Sequence, residues 1–352
     1  MNPAIVLAAE HDAAGRHDDA VNELARAAQH GDIEATTELG KRLITGEHGL
    51  LLPQDGTRLL LDAVAAGGVE AALRLATLAG LGAYVEQSWE RALSLLVFAA
   101  EKGSVSARAQ VKIFARRQPG ERELAAGEWH TLARSIDLAS WISPAGSIAL
   151  SDEPAVRSFP EFTEDSICAW LIGRARDNLK RALVYDPAYG DDIADHMRTN
   201  TAAGFDLMTA DLVQVALQQR MAASVGLPID NMEGPTVLHY DVGEQITNHY
   251  DFLNPGSPNY ADEVSRRGER IITFLVYLND DYEGGETQFP ELGIRHKGKR
   301  REGLMFVNAL PSGAPDLRMV HTGTPPTSGE KWIVSQFVRN RAVLNTRAER
   351  VA

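Results

Sequence analysis

Four residues in the last third of the chain have the types and spacing to do chemistry together. His249-Tyr-Asp251 sets an imidazole and a carboxylate two positions apart, and His321 and Lys331 follow seventy and eighty residues after Asp251. Alternate residues of a strand point to the same side, so His249 and Asp251 can grip one metal ion. A His-x-Asp triplet is common, and by itself it also fits a solvated strand end. With His321 the set becomes two histidines and one carboxylate, which leaves three positions of an octahedron open, as in non-haem Fe(II) oxygenases; zinc prefers a closed tetrahedron. The keto-acid end of 2-oxoglutarate can then chelate and leave one position for O2. Its far carboxylate needs a buried cation, which Lys331 is placed to supply, although a lone lysine there fits a surface strand end equally.

Short β-branched or aromatic runs separated by glycine and proline must position these groups. They are Thr236-Val-Leu-His-Tyr240, Ile271 to Leu278, Leu304-Met-Phe-Val307 and Trp332 to Val338. Before them, Asp165 to Leu183 and Ala210 to Val225 have the apolar spacing of amphipathic helices. Helices followed by an antiparallel sheet predict an α+β domain with a double-stranded β-helix (jelly-roll) core.

The first 115 residues follow another period. Leu24, Leu60 and Leu96 lead three similar segments, followed by Ala27, Ala63 and Ala99, then Gly31, Gly67 and Gly103, then Ala35, Ala71 and Ala107; every set steps by 36 residues. Such a step is the mark of stacked helical hairpins. Leucine and alanine three apart share a helix face, and the glycine can supply the left-handed residue that ends the helix. The period and the Ala-Ala-x-x-Gly pattern resemble Sel-one-like repeats, relatives of the tetratricopeptide repeat. The predicted chain is therefore multidomain: an all-α helical-repeat solenoid over 1–117, a junction rich in proline and glycine over 118–160, the α+β jelly roll over 161–342 and a tail over 343–352. The solenoid serves either as a spacer or as a docking surface for a protein.

Six ordered blocks resemble the catalytic domain of prolyl 4-hydroxylases: His239-Tyr-Asp-Val-Gly243, His249-Tyr-Asp251, Arg270 to Leu278, Gly284-Gly-Glu-Thr-Gln-Phe-Pro290, His321-Thr-Gly323 and Gly329-Glu-Lys-Trp332. Arg198-Thr-Asn-Thr201 is similar to that family's lead-in. The resemblance implies His249, Asp251 and His321 as Fe(II) ligands and Lys331 as the partner of the distal 2-oxoglutarate carboxylate. It further implies hydroxyls of Tyr240 and Thr287 on the co-substrate, Arg270 beside a peptide substrate, and ascorbate as reductant. On the residues alone, Tyr240 also fits an ordinary strand aromatic, Thr287 a turn residue and Arg270 a surface charge beside Glu269. Ile246 and Phe337 stand where the family often has an aromatic and a tryptophan, both on the substrate side. The expected reaction is hydroxylation of a C–H bond, on a prolyl residue of a peptide or protein, with release of succinate and CO2. A dioxygenase of a free amino acid or small metabolite, or a non-catalytic scaffold, is the alternative.

Acids outnumber bases 48 to 35, and the net charge of −13 argues against nucleic acid or a membrane surface as partner. One cysteine, Cys168, excludes an intramolecular disulfide. With no secretion signal or membrane span evident, a cytoplasmic protein is expected. Residues 251–269 are too long and polar for a tight hairpin and predict a mobile lid. Residues 295–301 gather six basic side chains around Gly298 and predict a solvated hairpin that could steer an acidic target, with His296 part of that loop.

Overall fold

Each 36-residue unit folds as its spacing predicts, because its small and large apolar positions fall on one helix face. In the computed structural model, which describes residues 2–118, 121–186, 191–193 and 197–343, seven helices follow one another from Pro3–Ala13 to Val105–Phe114. Leu24, Leu60 and Leu96 are buried, as are Ala35, Ala71 and Ala107. Gly31, Gly67 and Gly103 take φ of 85°, 99° and 96° just past the helices His17–Gln29, Pro53–Ala65 and Trp89–Glu101. Only glycine visits that region without a steric cost, so the next helix can start at once. Asp32 and Ser104 then cap it, accepting from the amides of Ala35 and Ala107 at 3.0 and 3.2 Å.

The chain falls into two compact units. One holds the helices up to Trp141 together with Leu207–Ala216; the other holds Ile142–Asp206 and the residues from Leu217 on. Within the first, Arg74 Nη1 donates to the Ala210 carbonyl at 3.1 Å and Gln110 accepts from the Leu212 amide at 3.0 Å, so a segment far along the chain is fastened to the repeats.

In the second unit an antiparallel sheet of eight strands runs in the order Ile148–Ser151, Val156–Phe159, Gly303–Val307, Arg270–Tyr277, Lys331–Arg339, Thr236–Tyr240, Thr201–Gly204 and Lys180–Arg181. A smaller sheet of four is ordered Ile294–His296, Thr287–Phe289, His321–Gly323 and Ile246–His249. Leu238, Tyr240, Leu275, Tyr277, Leu304, Phe306 and Ile333 of the large sheet pack with Phe289 of the small one in one core, the jelly-roll sandwich. On the opposite face of the large sheet, Phe159, Phe162 and Phe274 stack with ring centroids 4.7 to 5.7 Å apart.

Two expectations change. Residues 118–160 hold helices Glu128–Ala133 and Leu138–Ile142 and two strands of the large sheet, because four-residue strands are stabilised by their neighbours rather than by a local pattern. The helix expected over 165–183 ends at Arg176, where Asn178 Nδ2 turns back to the Arg174 carbonyl at 3.0 Å and Lys180–Arg181 joins the sheet edge. Pro119 in the expected junction and the tail beyond Val343 lie outside the described residues. Among the described residues no helix is long and apolar enough to cross a membrane.

Candidate metal centre and co-substrate site

Strand pairing brings the distant candidate ligands together. His321 lies opposite His249 in the small sheet, with ring centroids 4.2 Å apart. Asp251, just past the end of its strand, sets Oδ1 3.4 Å from His249 Nε2 and Oδ2 3.3 Å from His321 Nε2. The three ligand atoms all fall within 4.8 Å of one another. His249 Nδ1 lies 2.8 Å from the Thr247 carbonyl and His321 Nδ1 3.0 Å from that of Met319. A carbonyl can only accept, so both Nδ1 atoms carry a proton, and in the neutral ring Nε2 is then the atom with a lone pair for a metal.

Electrostatics favour an ionised Asp251 and a neutral His249. Burial alone would raise the Asp251 carboxyl, but the two imidazoles beside it hold it well below the usual carboxylate range. Burial and the neighbouring His321 lower His249, whereas His321 is burdened by burial yet raised on balance by Asp251. An ionised carboxylate and two aligned imidazoles form a donor set that could hold Fe(II) on one face.

Two further residues in this array were given no role from the sequence. Thr273 Oγ1 donates to Asp251 Oδ2 at 2.7 Å, and Asn308 Nδ2 donates to Thr273 Oγ1 at 2.9 Å. Because the amide can only donate there, the threonine proton must point at the carboxylate. The one available signal was parity: Thr273, Leu275 and Tyr277 alternate along one strand, and the last two lie in the core between the sheets. Thr273→Val should keep the fold and lower Fe(II) affinity or turnover by about 10- to 100-fold, the usual cost of losing a group that orients a metal ligand. Iron titration alongside circular dichroism checks this.

Lys331, paired in register with Tyr240, is buried with its Nζ 5.3 Å from the Tyr240 ring centroid and 5.6 Å from that of Tyr277. Its hydrogen-bond acceptor is the Gly285 carbonyl at 2.7 Å, and no carboxylate among the described residues pairs with it. Burial pulls its pKa from 10.5 down to about 7. Gly285 holds φ 65°, and a Cβ there would press on Tyr282 and come within 3.3 Å of the lysine side chain. Thr287 is buried with its hydroxyl 2.9 Å from that of Tyr277. Tyr240 is also buried, which raises its phenol to about 12 and keeps it a neutral hydrogen-bonding group. A buried amine against two tyrosines, one of them bonded to Thr287, could hold the carboxylate of a dicarboxylic acid.

Arg270 is held in place by two neighbours. It forms two hydrogen bonds to Glu233, at 2.8 and 3.0 Å, and its guanidinium lies 4.0 Å from the Phe337 ring centroid. In the basic loop Arg295, Lys297, Arg300 and Arg301 pair with Glu286, Glu283, Asp165 and Glu161, so most of its charge is already neutralised. His296 belongs to strand Ile294–His296 and faces Glu302 at 3.3 Å, away from the triad.

Residues 235–339 match the family model of the 2OG-Fe(II) oxygenase superfamily. The Arabidopsis thaliana protein named "Probable prolyl 4-hydroxylase 9" is 30% identical over 210 residues, covering 54% of this chain and 71% of that protein. The chain belongs to the prolyl 4-hydroxylase family of 2OG-Fe(II) oxygenases. This oxygenase uses Fe(II), 2-oxoglutarate and O2. Among solved structures, a viral collagen prolyl hydroxylase of Paramecium Bursaria Chlorella virus-1, in complex with 2-oxoglutarate, matches at 24% identity over 52% of this chain and 94% of its own, with a TM-score of 0.40. A protective antigen of uropathogenic Escherichia coli strains with an SLR fold matches at 25% identity over 35% of this chain and 27% of its own, with a TM-score of 0.26.

Residues 251–269, expected to form a lid, contain helix Tyr260–Arg267, tethered by Tyr260 to Glu269 at 3.0 Å and by Arg341 to the Ser265 carbonyl at 2.7 Å. Residues 253–259, before that helix, hold no regular element. Protease cleavage there should slow by about tenfold or more when metal, 2-oxoglutarate and substrate are added, which needs a closure free energy of only about 1.4 kcal/mol. Unchanged cleavage would count against a closing lid.

Proposed function

We propose that this oxygenase hydroxylates prolyl residues of a peptide or protein, with His249, Asp251 and His321 holding Fe(II) and Lys331 holding the distal carboxylate of 2-oxoglutarate. The observation that carries the reading is the buried Lys331 amine, which has no carboxylate partner among the described residues in a core it shares with Tyr240 and Tyr277. A buried unpaired charge costs several kcal/mol, and an anion that must bind there for catalysis explains its presence. The same core continues through Phe289 and Phe306 to His321, whose ring lies 5.5 and 4.8 Å from theirs.

When bound, Fe(II) with O2 and the keto acid supplies the oxidising power, and the balance is one oxygen atom to the substrate C–H bond and one to succinate, with loss of CO2. The chain's own residues do the rest. Thr273 fixes the Asp251 carboxylate, the Thr247 and Met319 carbonyls fix the imidazole tautomers, and Tyr240 and Thr287 offer hydroxyls to the co-substrate. Phe289 and Phe306 keep water from the inner side of His321. Arg270, aligned by Glu233, and the adjacent Phe337 contact the substrate. The helical repeats favour a protein substrate, since a small metabolite needs no docking surface.

The test is to incubate the iron-loaded protein with 2-oxoglutarate and a lysate of its host and to map added oxygen atoms by mass spectrometry. Hydroxyproline in peptides supports the reading. Oxygen added only to free metabolites would replace it with a small-molecule dioxygenase.

A further inference from the structure

A second convergence of ligating side chains lies in the repeat unit. Asp12 is in the last turn of helix Pro3–Ala13, His17 opens helix His17–Gln29, and His48 sits in the loop after helix Ile33–Thr45. His17 Nδ1 and His48 Nδ1 lie 3.0 and 3.4 Å from one and the same oxygen, Asp12 Oδ1. The imidazoles stack at 4.2 Å with 16° between their planes, and the three ligand atoms fall within 4.8 Å of one another. The other carboxylate oxygen is held by Arg42 at 2.7 Å, and Arg42 is itself held by Glu38 at 3.3 Å.

Hydrogen bonding explains this arrangement poorly. Two stacked imidazoles would repel as cations, and as neutral rings both would spend an Nδ1 proton on a single carboxylate oxygen. A shared cation would take the place of both protons, once the partly exposed rings rotate to bring their Nδ1 lone pairs onto it. Zinc–ligand bonds of about 2.0–2.1 Å in a tetrahedron put neighbouring ligand atoms about 3.3 Å apart. The observed 3.0 and 3.4 Å bracket that edge. The His239, Asp241 and Glu244 cluster is different: both nitrogens of His239 are already taken, by Thr201 at 3.1 Å and Glu330 at 2.9 Å.

We infer that Asp12, His17 and His48 form a second metal site, independent of the oxygenase centre, that binds a Zn(II)-class divalent cation with water as the fourth ligand. Nitrogen and oxygen donors of this kind suit a borderline cation, and both histidines are partly exposed, which leaves room for that water. The bound ion would join the first three helices of the repeat at one point.

Co(II) titration of the full chain separates the two sites, because four-coordinate Co(II) absorbs far more strongly in the visible than six-coordinate Co(II). Two bound equivalents are expected, one of them giving the intense band. His17→Ala/His48→Ala should lose that band and one equivalent while retaining Fe(II)-dependent turnover of 2-oxoglutarate, and the single His48→Gln should weaken the strong-absorbing site by about a hundredfold. His249→Ala/His321→Ala should keep the band. Absence of an intense band in the unaltered protein, or its persistence in His17→Ala/His48→Ala, would overturn the inference.

Discussion

Asp251→Ala is expected to cut the conversion of 2-oxoglutarate to succinate by at least about a thousandfold while leaving the fold intact. The carboxylate is buried and ionised, it lies 3.4 and 3.3 Å from the two imidazoles, and Thr273 fixes its second oxygen. Removing it takes the only negative charge from the proposed metal site and strands a buried hydroxyl beside two histidines. A bound metal contributes several kcal/mol of charge stabilisation, and each 1.4 kcal/mol or so is a factor of ten in rate. Asp251→Asn should fall between, since the amide keeps an oxygen toward Thr273 but loses the charge. Succinate release, iron affinity and circular dichroism distinguish lost chemistry from lost fold. Succinate production by Asp251→Ala within about tenfold of the unaltered protein would remove Asp251 from the ligand set.

How much of this was legible in the sequence depended on whether a set of residues in a fixed order narrowed their roles. Singly His249, Asp251, His321 and Lys331 also fit strand ends, but together, in the order of the six blocks, they could be picked out before their pairing was known. The glycines at 31, 67 and 103 were legible for a related reason: one backbone conformation excludes nearly every other residue. Thr273 and Asn308 were not, because a threonine in a β-branched run is ordinary and its partner lies 35 positions away. The place of Val156–Phe159 beside Gly303–Val307 was equally hidden. Pairing across nearly 150 residues is decided by the assembled sheet and leaves no local mark. Arg270 illustrates a half-legible case: the resemblance implied a place beside the substrate, but nothing in the sequence pointed to Glu233 and Phe337 as the groups that hold its guanidinium.

Lys331→Met should raise the KM for 2-oxoglutarate by about a hundredfold or more and, in the same protein, raise the melting temperature measured without co-substrate. The two effects have one cause. Losing one partner of a buried ion pair costs about 3–5 kcal/mol, which at about 1.4 kcal/mol per factor of ten is two to three orders of magnitude in affinity. In the free protein the same ammonium is buried against Tyr240 and Tyr277 with only the Gly285 carbonyl to solvate it, so an isosteric apolar side chain relieves a strain. The pH dependence follows from the direction of the shift. Burial lowers Lys331 from 10.5 to about 7, so between those values the unfolded chain binds a proton that the folded chain has released. Stability of the free protein must therefore rise with pH through that window, and the penalty is fully present below about pH 7. A carboxylate bound beside Nζ restores the charge, so binding above about pH 7 takes up a proton and should weaken about tenfold per pH unit. Calorimetry in buffers of different ionisation enthalpy measures that uptake, and thermal melts from about pH 6 to about pH 9 measure the stability slope. Lys331→Met should abolish both signals. If binding to the unaltered protein takes up no proton and the variant binds 2-oxoglutarate normally, the distal carboxylate is held by another cation.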